Sequence, residues 1–79
     1  MEGQDREALA RRLVDTYSDQ LLRLAYSLLN NVPDAQDVCQ EALLKRLGHA
    51  PIFESREHER AWLIRVTINL CKNLRRSPW

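Results

Sequence analysis

The sequence predicts an all-α fold, a compact bundle of three to four helices, and three observations carry that expectation. Its 79 residues include only two glycines and three prolines, too few for the many turns of a small β domain. Apolar residues in the first third recur at three- and four-residue steps, the period of a helix with one buried face. The breakers Pro33, Gly48, Pro51 and Pro78 leave two further segments of helical length. Hydrophobic residues make up 44% of the chain, enough for a core and too many for a disordered tail. A chain this short hides only about 60% of its unfolded surface, so a single domain with a thin core is expected.

The first helix should run from Arg6 to about Leu29, with Leu9, Leu13, Tyr17, Leu21, Leu24 and Leu28 on its apolar face. Ser18-Asp19 offers a point where it could divide in two. Asn30-Asn31 ends it, and Pro33 suits the first turn of the next helix, where Asp34 and Asp37 meet the positive end of the helix dipole. That helix should continue to about Leu47 and stop at Gly48. After a connection containing Pro51, Ser55 is the expected N-cap of a last helix. It carries Glu57 and Glu59 in its first turn and ends near Arg76. Ser77-Pro78-Trp79 reads as the start of a linker.

Charge is uneven along the chain although the net is only +1. Residues 1–41 hold eight acids and four bases, whereas residues 60–79 hold five bases and no acid. Such a split implies two partners, or one partner met in two places. No apolar run approaches the roughly 20 residues needed to cross a bilayer. Two cysteines, Cys39 and Cys71, are too few to staple a secreted mini-protein, and no signal peptide precedes them, so a reducing cytoplasm is the expected setting. Glycine-rich phosphate loops and nucleophile elbows are missing, and no enzyme is expected. Cys39, His49, His58 and Cys71 lack the close ligand pairs of a zinc site, so no metal or other cofactor is expected either.

At about 100° per residue, Arg65, Asn69, Lys72 and Arg76 fall within an arc about 60° wide on the last helix. Leu63, Val66, Leu70 and Leu74 occupy the opposing flank. Guanidinium and ammonium groups bind phosphates, and an Asn amide can read a base edge or a sugar. Trp62, at the start of this helix, could stack on an unpaired base or anchor its indole in the core. On the second helix, Asp37, Gln40, Glu41 and Leu44 cluster within an arc of about 100°, away from Cys39, Ala42, Leu43 and Leu47. An acidic, amide-bearing face suits a basic partner helix. For the basic face, composition leaves an idle solvated surface equally open; for the acidic face, it favours the idle surface.

The order of the two motifs narrows the choice. Asp34-Ala35-Gln36-Asp37-Val38-Cys39-Gln40-Glu41-Ala42-Leu43-Leu44 resembles the D-A-E-D-L-V-Q-E-x-F-L signature of bacterial sigma factors of the extracytoplasmic-function group. Ala61-Trp62-Leu63-Ile64-Arg65-Val66-Thr67-Ile68-Asn69-Leu70 resembles that group's A-W-L-x-R-I-A-x-N-L, and Arg75-Arg76 stands where the family closes with a basic pair. The resemblance implies sigma region 2 over residues 1–76, with the family's second DNA-binding domain absent from this chain. It also implies docking on the β′ clamp helices of RNA polymerase through Asp37, Gln40, Glu41 and Leu44. The other implied duty is binding the melted non-template strand of the −10 promoter element through Arg65, Asn69, Lys72, Arg76 and Trp62. The loop from about Gly48 to His58 would shape a pocket for a flipped-out base. An anti-sigma factor is a further partner the resemblance allows.

The chain departs from the pattern at Gln36, at Leu43-Leu44-Lys45-Arg46-Leu47, at Asn73, and at Glu59, where the family often has an aromatic three residues before the tryptophan. Two other readings stay open on the residues alone. One is a helix-turn-helix-type regulator that reads duplex DNA; the other is a helical protein-interaction adaptor.

Overall fold

Three helices form almost at the boundaries the breakers dictate: α1 (Glu2–Leu29), α2 (Val32–Gly48) and α3 (Arg56–Arg75). The structure is a computed structural model that describes residues 2–48 and 52–75, with side chains from Asp5 onward. His49 and Pro51 of the expected loop, and Arg76 with the expected linker, lie outside the described residues. Among the described residues no helix is long and apolar enough to cross a membrane.

α1 is unbroken through Ser18-Asp19. Asp19 pairs with Arg23 one turn on, and Ser18 faces α2, its hydroxyl meeting the Cys39 sulfur at 4.0 Å and its carbonyl accepting from that thiol at 3.5 Å. Both polar residues are thus satisfied without leaving helical geometry. At 28 residues and about 1.5 Å per residue, α1 sets the 44 Å long dimension of the molecule.

The α1–α2 connection is made by two asparagines with different tasks. Asn30 takes φ 56°, the left-handed conformation asparagine tolerates at a helix C-terminus, and its N–H donates to the Tyr26 carbonyl at 2.8 Å. Asn31 is the N-cap of α2, its Oδ1 accepting from the Asp34 N–H at 2.9 Å. Pro33 lies in that first turn, where its missing N–H leaves no bond unmade. Ser55 caps α3 as its sequence position predicts, Oγ accepting from the His58 N–H at 3.1 Å.

The core has two parts. Leu13, Tyr17, Leu21, Cys39, Ala42 and Leu63 form the larger, flanked by half-buried Trp62, Val66 and Leu70. Near the Asn30-Asn31 end, Ala25, Ala35, Val38 and Cys71 form the smaller, where small side chains let the helices approach closely.

The inward line of α3 differs from the expected flank of Leu63, Val66, Leu70 and Leu74. Its buried residues are Glu59, Leu63, Thr67 and Cys71, four apart in sequence, while Leu74 is 43% exposed. Hydrophobicity alone misses the rotation because Glu59 and Thr67 are polar. Both are satisfied, Thr67 by donating to the Leu63 carbonyl at 2.8 Å.

Replacing the two asparagines separates their roles. Asn31→Ala should cost about 1 kcal/mol by removing the cap. Asn30→Gly should be neutral or slightly stabilising, because glycine adopts the left-handed conformation without strain. Urea denaturation checks both, and equal losses at the two positions would contradict the assignment.

Candidate nucleic-acid interface

The cationic stripe is present and open. Arg65, Asn69 and Lys72 are exposed on one face of α3, and none of them forms an ion pair among the described residues. By contrast, α1 pairs its surface arginines at helical spacing, Arg11 with Glu7 and Arg23 with Asp19. The stripe's charge is therefore uncompensated locally and available to phosphate oxygens. Arg76, its fourth expected member, lies outside the described residues. Trp62 is half-buried against the core, with its ring set edge-on to Phe53 at 5.9 Å.

Asp37, Gln40, Glu41 and Leu44 are all exposed on α2, while Cys39 and Ala42 are buried and Leu43 and Leu47 half-buried behind them. Leu44 is 56% exposed, a large apolar residue in the middle of a polar face.

A third feature lies at the loop where the resemblance implies a base pocket, though the buried carboxylate and the arginines that build it were not identified from sequence. Where α3 begins, an open cleft of about 420 Å³ is lined by Arg12, Arg46, Phe53, Ser55, Arg56 and Glu59. At its floor the Glu59 carboxylate is 2% exposed and accepts four hydrogen bonds. Arg12 grips it with two nitrogens at 3.0 and 2.9 Å, the Tyr17 hydroxyl donates at 2.8 Å, and Arg46 Nε donates at 2.8 Å. Arg56 adds a longer charge contact at 3.6 Å. Burial alone pushes the Glu59 carboxyl up, but the hydrogen bonds from Arg12, Tyr17 and Arg46 together hold it below the usual carboxylate range. Tyr17 is driven the other way, raised by burial and by its bond to Glu59.

The same arginine that reaches Glu59 also shapes the loop. The Arg46 guanidinium lies 4.9 Å from the centre of the Phe53 ring, and that ring meets His58 edge-on at 5.2 Å. Phe53 is thereby folded back over the bundle beside the cleft. The cleft's wall offers hydrogen-bond donors and an aromatic face, whereas its one carboxylate is already occupied. A signal for it does exist in the sequence: Glu59 falls one turn before Leu63 on the inward side of α3. Arg56 is a neighbour three residues away on the same helix, but the hydrogen-bond partners lie 13, 42 and 47 positions away, which no local pattern links.

Cys39 and Cys71 are both buried thiols, and burial raises both above their ordinary range, away from thiolate chemistry. Among the described residues, no three His, Cys, Asp or Glu side chains gather as a metal site.

Comparison with known proteins agrees with the motif order. The family described as Sigma-70 region 2 matches residues 13–79. The ECF RNA polymerase sigma factor SigW of Bacillus subtilis (strain 168) is 35% identical over 66 residues, covering 84% of this chain and 35% of that protein. The ECF RNA polymerase sigma factor SigL of Mycobacterium tuberculosis (strain ATCC 25618 / H37Rv) is 37% identical over 71 residues, covering 89% of this chain and 40% of that protein. The chain thus spans two fifths or less of the length of these relatives. No solved structure matches it significantly.

Glu59→Gln should destabilise the domain towards the lower end of roughly 3–5 kcal/mol, because Arg12 keeps some access to solvent after the charge is lost. The pH dependence has a definite sign. A depressed carboxyl contributes stability that is present above its unfolded value of about 4.3. That stability is lost as pH falls through the lower folded-state value. Urea midpoints taken from neutral pH downward should therefore drop more steeply in the parent than in Glu59→Gln; parallel curves would show that Glu59 is not the linked group.

Proposed function

We propose that this chain, which belongs to the sigma-70 region 2 family, is the polymerase-docking and −10-binding domain of an extracytoplasmic-function sigma factor. In this reading α2 holds RNA polymerase and α3 meets the promoter. Asp37, Gln40, Glu41 and Leu44 engage the β′ clamp helices, where an acidic face with one apolar contact suits a basic helical partner. Arg65, Asn69 and Lys72, continued by Arg76, follow the backbone and bases of the non-template strand. Trp62 stands at the edge of that path.

The observation that carries the proposal is the pairing of the two faces. They lie on consecutive helices, carry opposite charge, and occur in the order of the family's motifs within the matched residues 13–79. The cleft beside Phe53 adds support, since a base taken out of the stack needs a ring or guanidinium plane to lie against and donors for its edge. Arg56 and Phe53 offer those groups. An anti-sigma factor competing for the α2 face is a further partner within the same reading.

Binding of −10-like DNA by the chain mixed with core polymerase tests the proposal. Single-stranded non-template DNA should bind more tightly than the same sequence as duplex; preference for duplex would favour a helix-turn-helix-type reader instead. Arg65→Ala and Asn69→Ala should weaken DNA binding yet leave core capture intact, and Arg65→Ala should lower the salt slope by about one counterion. Glu41→Lys should reverse the pattern, weakening core capture with the melting temperature nearly unchanged. DNA-independent capture without steep salt dependence would point to a protein-interaction adaptor.

A further inference from the structure

Of the grooves beside α2, two lie on opposite sides of its acidic face and towards opposite ends. One, of about 330 Å³, lies between α2 and α3 and is lined by Asp37, Val38, Glu41, Leu70, Asn73 and Leu74. The other, of about 210 Å³, lies between α1 and α2, with Ala10 and Val14 on one wall, Leu44 and Leu47 on the other, and Gln40 the only polar side chain among its lining residues. The α2 residues bordering the two grooves are offset along the axis by roughly 7 Å, about a turn and a third. A line joining the grooves therefore crosses α2 obliquely, passing over Glu41 and Gln40.

Large apolar residues are exposed along that line on all three helices: Leu74 at 43%, Leu44 at 56% and Val14 at 49%. A single exposed leucine calls for no explanation. Three placed at the ends of one diagonal, with Asp37, Gln40 and Glu41 between them, make a pattern of apolar pad, acidic centre and apolar pad.

We infer that polymerase is held by this whole diagonal strip, not by α2 alone, so that Val14 on α1 and Leu74 on α3 are partner-contacting residues. The inference rests on the reading of α2 as the polymerase face. The occupant is an amphipathic polymerase helix of about three turns, with a basic residue set between two apolar contacts. Charge complementarity selects it: phosphates are repelled by Asp37 and Glu41, and a second copy presenting the same strip would set acid against acid. The cationic stripe of another copy, Arg65, Asn69 and Lys72, has no apolar side chain to fill either pad.

The test measures capture of the chain by core RNA polymerase and by an isolated β′ clamp-helix hairpin, with melting temperatures taken in parallel. Val14→Asp and Leu74→Asp should each weaken both interactions by about tenfold, because each sets a charge against an apolar contact of the partner. Their melting temperatures should stay close to the parent's. Val14→Ser and Leu74→Ser, milder changes at the same half-exposed sites, should weaken capture in the same direction and serve if either aspartate variant unfolds. If Glu41→Lys abolishes capture while all four variants bind as the parent does, the strip is overturned and the α2 reading survives. If Glu41→Lys also binds as the parent does, the α2 reading falls with it. Loss of self-association in these variants, with core capture unchanged, would assign the strip to a second copy and overturn the inference.

Discussion

One buried carboxylate sets the register of the bundle. Glu59 on α3 receives Arg12 and Tyr17 from α1 and Arg46 from α2, so a single residue ties all three helices at the end where α3 begins. Apolar packing tolerates sliding by a fraction of a turn, since one leucine replaces another at little cost. A carboxylate accepting four bonds does not, because any shift leaves a charge buried and unpaired. The network's value thus lies less in net stability, which desolvation erodes, than in fixing which residues face outward.

What it fixes is the separation of two surfaces. With Glu59, Leu63, Thr67 and Cys71 turned inward, Arg65, Asn69 and Lys72 must turn outward. With Ala35, Val38, Cys39 and Ala42 inward on α2, Asp37, Gln40 and Glu41 are likewise directed to solvent. Exposed ion pairs contribute little to stability, so charges left unpaired among the described residues cost the fold little. Arg46 links the interior to the periphery: it bonds the buried carboxylate and also approaches the Phe53 ring. Loop position is in this way coupled to the same anchor as helix register.

The three helices, the Ser55 cap and both charged faces were legible in the sequence because each is a local pattern, written in residues within a few turns of one another. The continuity of α1 was legible except at Ser18-Asp19, where the sequence left a break open and Ser18 instead meets α2 at Cys39, a contact between helices. The inward line of α3 was misplaced for a related reason. Glu59 and Thr67 count as surface residues on any hydrophobic scale, and only their partners make them interior. The build of the cleft was missed for the same reason, since its floor is a residue placed only in the first turn of α3. Two of its arginines, Arg12 and Arg46, lie on helices whose own periodicity gives no hint that they converge.

The two-residue connection at Asn30-Asn31 bears on the order in which these parts come together. α1 and α2 close on each other across almost no loop, so their pairing has little chain entropy to overcome. α3 is different: its anchoring carboxylate must find partners 13, 42 and 47 residues back along the chain. An α1–α2 hairpin carrying the acidic face can therefore assemble first, with the cationic helix completing the molecule when Glu59 reaches its arginines. The face assigned to polymerase belongs to the earlier, more local unit, and the one assigned to DNA to the later, less local one.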